Sequence, residues 1–157
     1  MIDRRNEPIV MDFGLARQTD DQVDAKLTRD GTILGSPSYM SPEQVQCGKL
    51  GSATDIYSLG VTLFQLVIGR LPFEESDDQD LLRAHIMEKL SSPELKSQGF
   101  SPHLHYFIEK MMAKEIDVRY QGFEQLILDV KEQLAGYESL DFSRPSPNRP
   151  VRRPRKQ

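Results

Sequence analysis

The sequence predicts a mainly α domain, on three observations. Four segments carry apolar residues at helical spacing behind capping residues, a single short run has the composition of a strand, and residues 15–50 follow neither period.

Taken in order, Pro8-Ile9-Val10-Met11 is an apolar run after a charged opening, which predicts a short strand leading into a loop at Asp12-Phe13-Gly14. From Leu15 to Leu50 the chain is rich in Asp, Thr, Ser, Gly and Pro, which predicts a long irregular segment. Loops beyond about 15 residues inside a compact domain are usually functional or disordered.

Thr54-Asp55 then precedes Ile56, Tyr57, Leu59, Val61, Leu63, Phe64, Leu66, Val67 and Ile68, and Gly69 supplies a stop, so a helix is expected over about 54–68. Its apolar residues cover nearly every face, which places it at the centre of the domain. Ser76 with Asp77 and Asp78 reads as a cap and an acidic first turn, opening a helix to about Leu90 through Leu82, Ile86 and Leu90. Ser101-Pro102 is a cap followed by proline at the first helical position. The helix it opens puts Leu104, Phe107, Ile108, Met111 and Met112 on one face. The last helix, about 121–134, repeats that stripe in Phe123, Leu126, Ile127, Val130 and Leu134, with Gly136 as its stop. After Ser143 the sequence holds four prolines and six positive charges, and it is expected to form a disordered tail. The division is therefore a domain over 1–136 and a basic, Pro/Arg-rich tail over 137–157.

A chain of 157 residues, 38% hydrophobic, suffices for one compact domain and not two. The net charge of -4 hides an asymmetry: residues 144–157 hold six basic residues and no acid, leaving residues 1–143 at -10. A body this acidic repels phosphate backbones, which argues against sequence-specific nucleic-acid binding and leaves only the tail to contact acidic surfaces. Cys47 is the sole cysteine, so neither an intrachain disulfide nor a thiolate zinc cluster can form, and a reducing cytoplasm is the expected compartment. No apolar run approaches the length of a membrane span. His103 and His105 stand two apart on an expected helix and point to different faces, so they do not share a metal. Asp77, Asp78 and Asp80 are explained by the helix dipole alone.

Four motifs carry chemistry by their order and spacing. Asp12-Phe13-Gly14 is followed by Gly35-Ser-Pro-Ser-Tyr-Met-Ser-Pro-Glu43, then by Asp55-Ile-Tyr-Ser-Leu-Gly60 at the central helix, and Asp117-Val-Arg119 lies between the last two helices. Together they resemble the C-terminal half of a serine/threonine protein kinase domain, in wording most similar to the bacterial (Hanks-type) branch, over roughly residues 2–134. The resemblance implies a partial protein-kinase-like C-terminal lobe, an activation segment plus about four helices, with the small lobe absent.

It also implies roles. Asp12 would be the carboxylate holding Mg²⁺ against the phosphates of ATP, with Phe13 packing inward and Gly14 giving the backbone freedom to aim it. Hard carboxylate oxygen is the right donor for that ion. Activating phosphorylation would fall on Thr28 or Thr32, and Ser36 would lie in the loop contacting the substrate serine or threonine. Glu43 and Arg119 would form a buried ion pair anchoring the activation segment. Asp55 would cap the central helix and, in a complete relative, hold the backbone of the catalytic loop.

Phosphoryl transfer further needs a glycine-rich cover, a lysine on the phosphates and a His-Arg-Asp…Asn element. None of these patterns occurs in the sequence, and Asp3-Arg4-Arg5-Asn6 lacks the required spacing. The expected function is therefore that of part of a serine/threonine protein kinase, using ATP and Mg²⁺ in the complete enzyme and acting on a protein substrate or kinase partner, but inactive as this chain alone. Without flanking helices, part of the 56–68 helix should lack cover. A second reading is a non-catalytic helical module binding a protein partner. A third is attachment of the tail to acidic membranes or nucleic acid.

Overall fold

The computed structural model describes residues 1–11, 36–90 and 99–139, with side chains to residue 136. A 3₁₀ turn at Pro37–Tyr39 is followed by helices α1 (Pro42–Val45), α2 (Ser52–Ile68), α3 (Asp78–Met87), α4 (Pro102–Met111) and α5 (Phe123–Ser139). The described residues are thus mainly helical, as the periodicity implied.

The expected strand at Pro8–Met11 is not formed. Ile2 and Pro8 make an isolated antiparallel bridge, closed by the Asp3 carboxylate accepting from the Arg5 and Glu7 amides at 2.8 Å each. Ile9 pairs with Met1, donating to its carbonyl at 2.8 Å, while Val10 and Met11 stay exposed. A strand requires a ladder, and among the described residues this run has only Met1 and Ile2 beside it. The segment expected to be irregular up to Leu50 contains the 3₁₀ turn and α1, elements too short to show a period. Proline and serine chemistry makes α1: the Ser41 hydroxyl accepts from the Gln44 amide at 3.3 Å and the Gln44 side chain accepts from the Ser41 amide at 2.9 Å.

Helix α2 starts two residues before the expected position. Thr54 Oγ1 accepts from the Gly51 amide at 3.2 Å, and Gly69 closes the helix in the left-handed region at φ 85°. Ile56, Tyr57, Val61 and Phe64 are fully buried. Gly60 lets α4 approach: a Cβ there would lie 2.9 Å from both Met111 Cβ and Met112 Cγ. Helix α2 accordingly serves two apolar clusters, Tyr57, Val61 and Phe64 with Phe73, Leu81 and Ile108, and Ile56 with Phe107, Met111 and Tyr120. Its Leu59 and Leu66 remain exposed.

In α3 three expectations need correction. Asp77, not Ser76, caps the helix by accepting from the Gln79 amide at 2.7 Å, and the helix ends at Met87 because Glu88 turns extended. The buried face is Leu81, Ala84 and His85, one residue round from the expected Leu82–Ile86–Leu90 stripe. A histidine can be buried when neutral, which is why a count of apolar residues alone chose the wrong face. Helix α4 follows its expectation: the Ser101 hydroxyl accepts from the Leu104 amide at 3.2 Å, and Phe107, Ile108, Met111 and Met112 are buried.

Helix α5 runs through Gly136, which costs helix stability without forcing a stop. Only Leu126 of its expected stripe is buried, while Phe123, Ile127 and Leu134 are exposed. Contact comes from one side, through Leu126 and Val130, and through Asp129, which accepts from Tyr120 at 2.6 Å and from Lys110 at 3.2 Å. A groove of about 380 Å³ between α4 and α5 is lined by Leu104, Phe107, Val130 and Leu134.

Candidate functional site

Glu43 on α1 and Arg119, in the turn before α5, lie 76 residues apart in sequence and meet in a bidentate pair: Nη1 donates to Oε1 at 2.9 Å and Nη2 to Oε2 at 2.7 Å. The pair is closed to water, with the side chains of Arg119 and Glu43 0% and 5% exposed. The remaining donors and acceptors are largely matched. Arg119 also donates to the Ala53 carbonyl at 2.9 Å and the Lys114 carbonyl at 3.3 Å, and Thr54 Oγ1 donates to Glu43 Oε1 at 2.9 Å. Burial pushes the Glu43 carboxyl up, but the Arg119 hydrogen bonds and charge together with Thr54 outweigh it and hold it below the ordinary carboxylate range. Removing one partner of such a pair costs about 3–5 kcal/mol, because the other charge is left buried alone.

The pair ties down α1, which follows the 3₁₀ turn that begins after Ser36. Ser36 itself is exposed at the start of the 3₁₀ turn, where its carbonyl accepts from the Tyr39 amide at 3.2 Å. The turn is held on α2 at two points: Ser58 Oγ donates to the Tyr39 carbonyl at 2.8 Å, and the Tyr39 hydroxyl donates to Gln65 Oε1 at 2.7 Å. Ser58 and Gln65 were not singled out in the sequence, because a polar residue on a helix announces no partner. Thr54 was legible only as part of a helix start, whereas it also buttresses Glu43.

Asp55 does not cap α2. It is exposed in the first turn, and the capping interaction belongs to Gly51 and Thr54. The reason is the earlier start of the helix, which puts Asp55 inside it. Asp12, Phe13, Gly14, Thr28 and Thr32 lie outside the described residues, as does the tail from 140. Among the described residues no group of three His, Cys, Asp or Glu could hold a metal, and no helix is long and apolar enough to cross a membrane. His105 pairs with Glu109 at 2.9 Å.

A buried Arg–Glu pair thus joins two remote segments at the N-terminal end of the central helix, beside a serine-bearing turn held on that helix. The family profile described as "Protein kinase domain" matches residues 1–129, and the chain belongs to that family. It is 38% identical over 117 residues to the serine/threonine-protein kinase pkn3 of Myxococcus xanthus, covering 71% of this chain and 21% of that protein. It is 31% identical over 130 residues to the serine/threonine-protein kinase PknB of Mycobacterium tuberculosis, covering 83% of this chain and 21% of that protein. The matched region thus spans about a fifth of the length of these curated relatives.

Proposed function

We propose that this chain supplies the substrate-side lobe of a serine/threonine protein kinase domain, residues 1–136, whose assembled form phosphorylates serine or threonine of a protein in the cytoplasm. The observation that supports this reading is the buried Glu43–Arg119 pair, which anchors α1, directly after the Ser36–Tyr39 turn, to the segment before α5. In this role Ser36 meets the substrate hydroxyl residue, Thr28 or Thr32 receives the activating phosphate, and Asp12 is the Mg²⁺ ligand. Bound ATP and Mg²⁺ would supply the transferable phosphoryl group and the charge that neutralises it. A carboxylate such as Asp12 would share that ion with the phosphate oxygens, while the described residues would bind and position the protein substrate. The basic tail, which begins beyond the end of α5 at Ser139 and not at 137, would be able to contact acidic surfaces.

The purified chain incubated with Mg²⁺, ATP and a basic protein should incorporate no phosphate. The same residues joined in frame to the preceding half of a bacterial kinase domain should phosphorylate serine and threonine, and Asp12→Ala in that fusion should abolish the reaction. A folded fusion that transfers nothing, or that transfers only to tyrosine, overturns the reading.

A further inference from the structure

Arg119 meets Glu43 from a turn that α5 holds in place. The turn first closes on itself. The Val118 and Arg119 amides donate to the Glu115 and Ile116 carbonyls at 3.2 Å each, and the Gln121 side-chain amide donates to the carbonyls of Ile116 at 2.7 Å and Arg119 at 2.9 Å. The two residues that follow Arg119 then each give a hydrogen to α5. Tyr120 donates its hydroxyl to Asp129 Oδ2 at 2.6 Å, and Gln121 donates its backbone amide to Gln125 Oε1 at 2.9 Å.

The spacing of the two acceptors turns these bonds into a grip. Gln125 and Asp129 stand at i and i+4, neighbours on one face of α5. Consecutive residues are held there, one by its side chain and the next by its main chain, so the turn is fixed in position and in rotation. The Asp129 end is braced from α4: Lys110 donates to the same carboxylate oxygen at 3.2 Å, and its ammonium lies 4.1 Å from the centre of the Tyr120 ring.

The guanidinium needs such aim. It reaches acceptors on three segments, the Glu43 carboxylate, the Ala53 carbonyl and the Lys114 carbonyl, and a planar fork keeps two parallel bonds only while its backbone stays in place. Apolar burial is non-directional, and among the described side chains of α5 only Leu126 is buried. Hydrogen bonds to fixed acceptors supply direction.

We infer that Gln125 and Asp129 are positioning residues for the buried ion pair: α5 clamps the Arg119 turn through Gln121 and Tyr120, and so sets the guanidinium against Glu43. The inference rests on the geometry of the pair and not on the reading of the Ser36 turn.

Exchange of the Arg119 guanidinium hydrogens, followed by NMR on the ¹⁵N-labelled full chain, tests this, because those hydrogens lie at the pair and not at the clamp. Gln125 is exposed, so Gln125→Leu keeps its size and helix propensity and removes the acceptor. It should speed that exchange about tenfold, the equivalent of one hydrogen bond, while the Val61 and Phe64 amides on α2 keep their rates. Gln125→Glu keeps an acceptor oxygen at the same reach and should retain the parent rate. Equal rates in the two variants, fast or slow, overturn the clamp, as does equal acceleration at Val61 and Phe64. Tyr120→Phe and Asp129→Ala should each accelerate exchange to a similar degree, and the double variant no more than the larger single effect. Additive effects overturn the action of Asp129 through Tyr120. Should Asp129→Ala fail to fold, the two Gln125 variants decide alone. None of these readouts requires phosphoryl transfer, so an inactive fusion would count against the substrate reading and leave them standing.

Discussion

Helices α2 and α5 are each 17 residues long and each is rich in apolar residues, on nearly every face of α2 and in a stripe on α5, yet they are used differently. Helix α2 buries Ile56, Tyr57, Val61 and Phe64 and receives α1, α3, α4 and the Ser36–Tyr39 turn around it. Among its described side chains helix α5 buries only Leu126, leans on α4 through Val130 and Asp129, and leaves Phe123, Ile127 and Leu134 exposed. An apolar stripe therefore says that a face exists and not how much of it finds a partner. In this lobe the interactions that hold the Ser36–Tyr39 turn converge on α2, and α5 is a buttress.

The largest effect should come from cutting the lock at the N-terminal end of α2. Arg119→Ala leaves Glu43 buried without a partner and should cost about 3–5 kcal/mol, a fall in Tm of roughly 10 °C. A thermal melt within about 1 °C of the parent would show that the pair does not hold this region.

Acid should weaken the same side of the molecule next. His85 sits near 4 in the fold against an ordinary 6.5, so below pH 6.5 the unfolded chain binds the proton more readily than the folded one. This contribution to stability is complete above pH 6.5 and is lost progressively down to about pH 4, amounting to about 3 kcal/mol. Denaturant titrations between pH 7 and 4 should show that slope, and His85→Phe should flatten it. A slope unchanged in the variant would locate the acid sensitivity elsewhere.

The close contact between α2 and α4 comes third. Gly60→Ala puts a methyl 2.9 Å from Met111 Cβ and should destabilise by about 1–3 kcal/mol, read as a lower denaturant midpoint with an unchanged slope. The smallest effect belongs to α5. Leu134→Ala, on an exposed position, should change stability by less than about 0.5 kcal/mol, while Leu126→Ala on the same helix should cost about 2 kcal/mol or more. Equal losses at the two positions would erase the distinction between the helices.

Much of the fold was legible because its signals are local. The caps at Ser101 and Gly69 and the stripe of α4 follow from residues a few positions apart. The misplacements share one cause, which is that a neighbour decided. Asp77 took the cap from Ser76, Thr54 with Gly51 moved the start of α2 ahead of Asp55, and the burial of neutral His85 rotated the inner face of α3. At the candidate site, Ser36, Glu43 and Arg119 could be picked from the motif pattern. Ser58, Gln65 and Thr54 could not, since their partners come from other elements.

The sequence by itself determined that this chain is mainly helical, that its apolar residues centre on the 56–68 stretch, and that its motifs follow the order of a protein kinase domain. Those properties depend on spacing and residue type along one strand of text, and helical periodicity and capping are short-range physics. Tertiary structure decided which face of each helix was covered, which cap prevailed, and that Tyr57, His85 and Lys114 would meet in the interior. Those outcomes turn on side chains brought together from segments tens of residues apart, where desolvation makes each hydrogen bond's partner, and not its place in the chain, the deciding quantity.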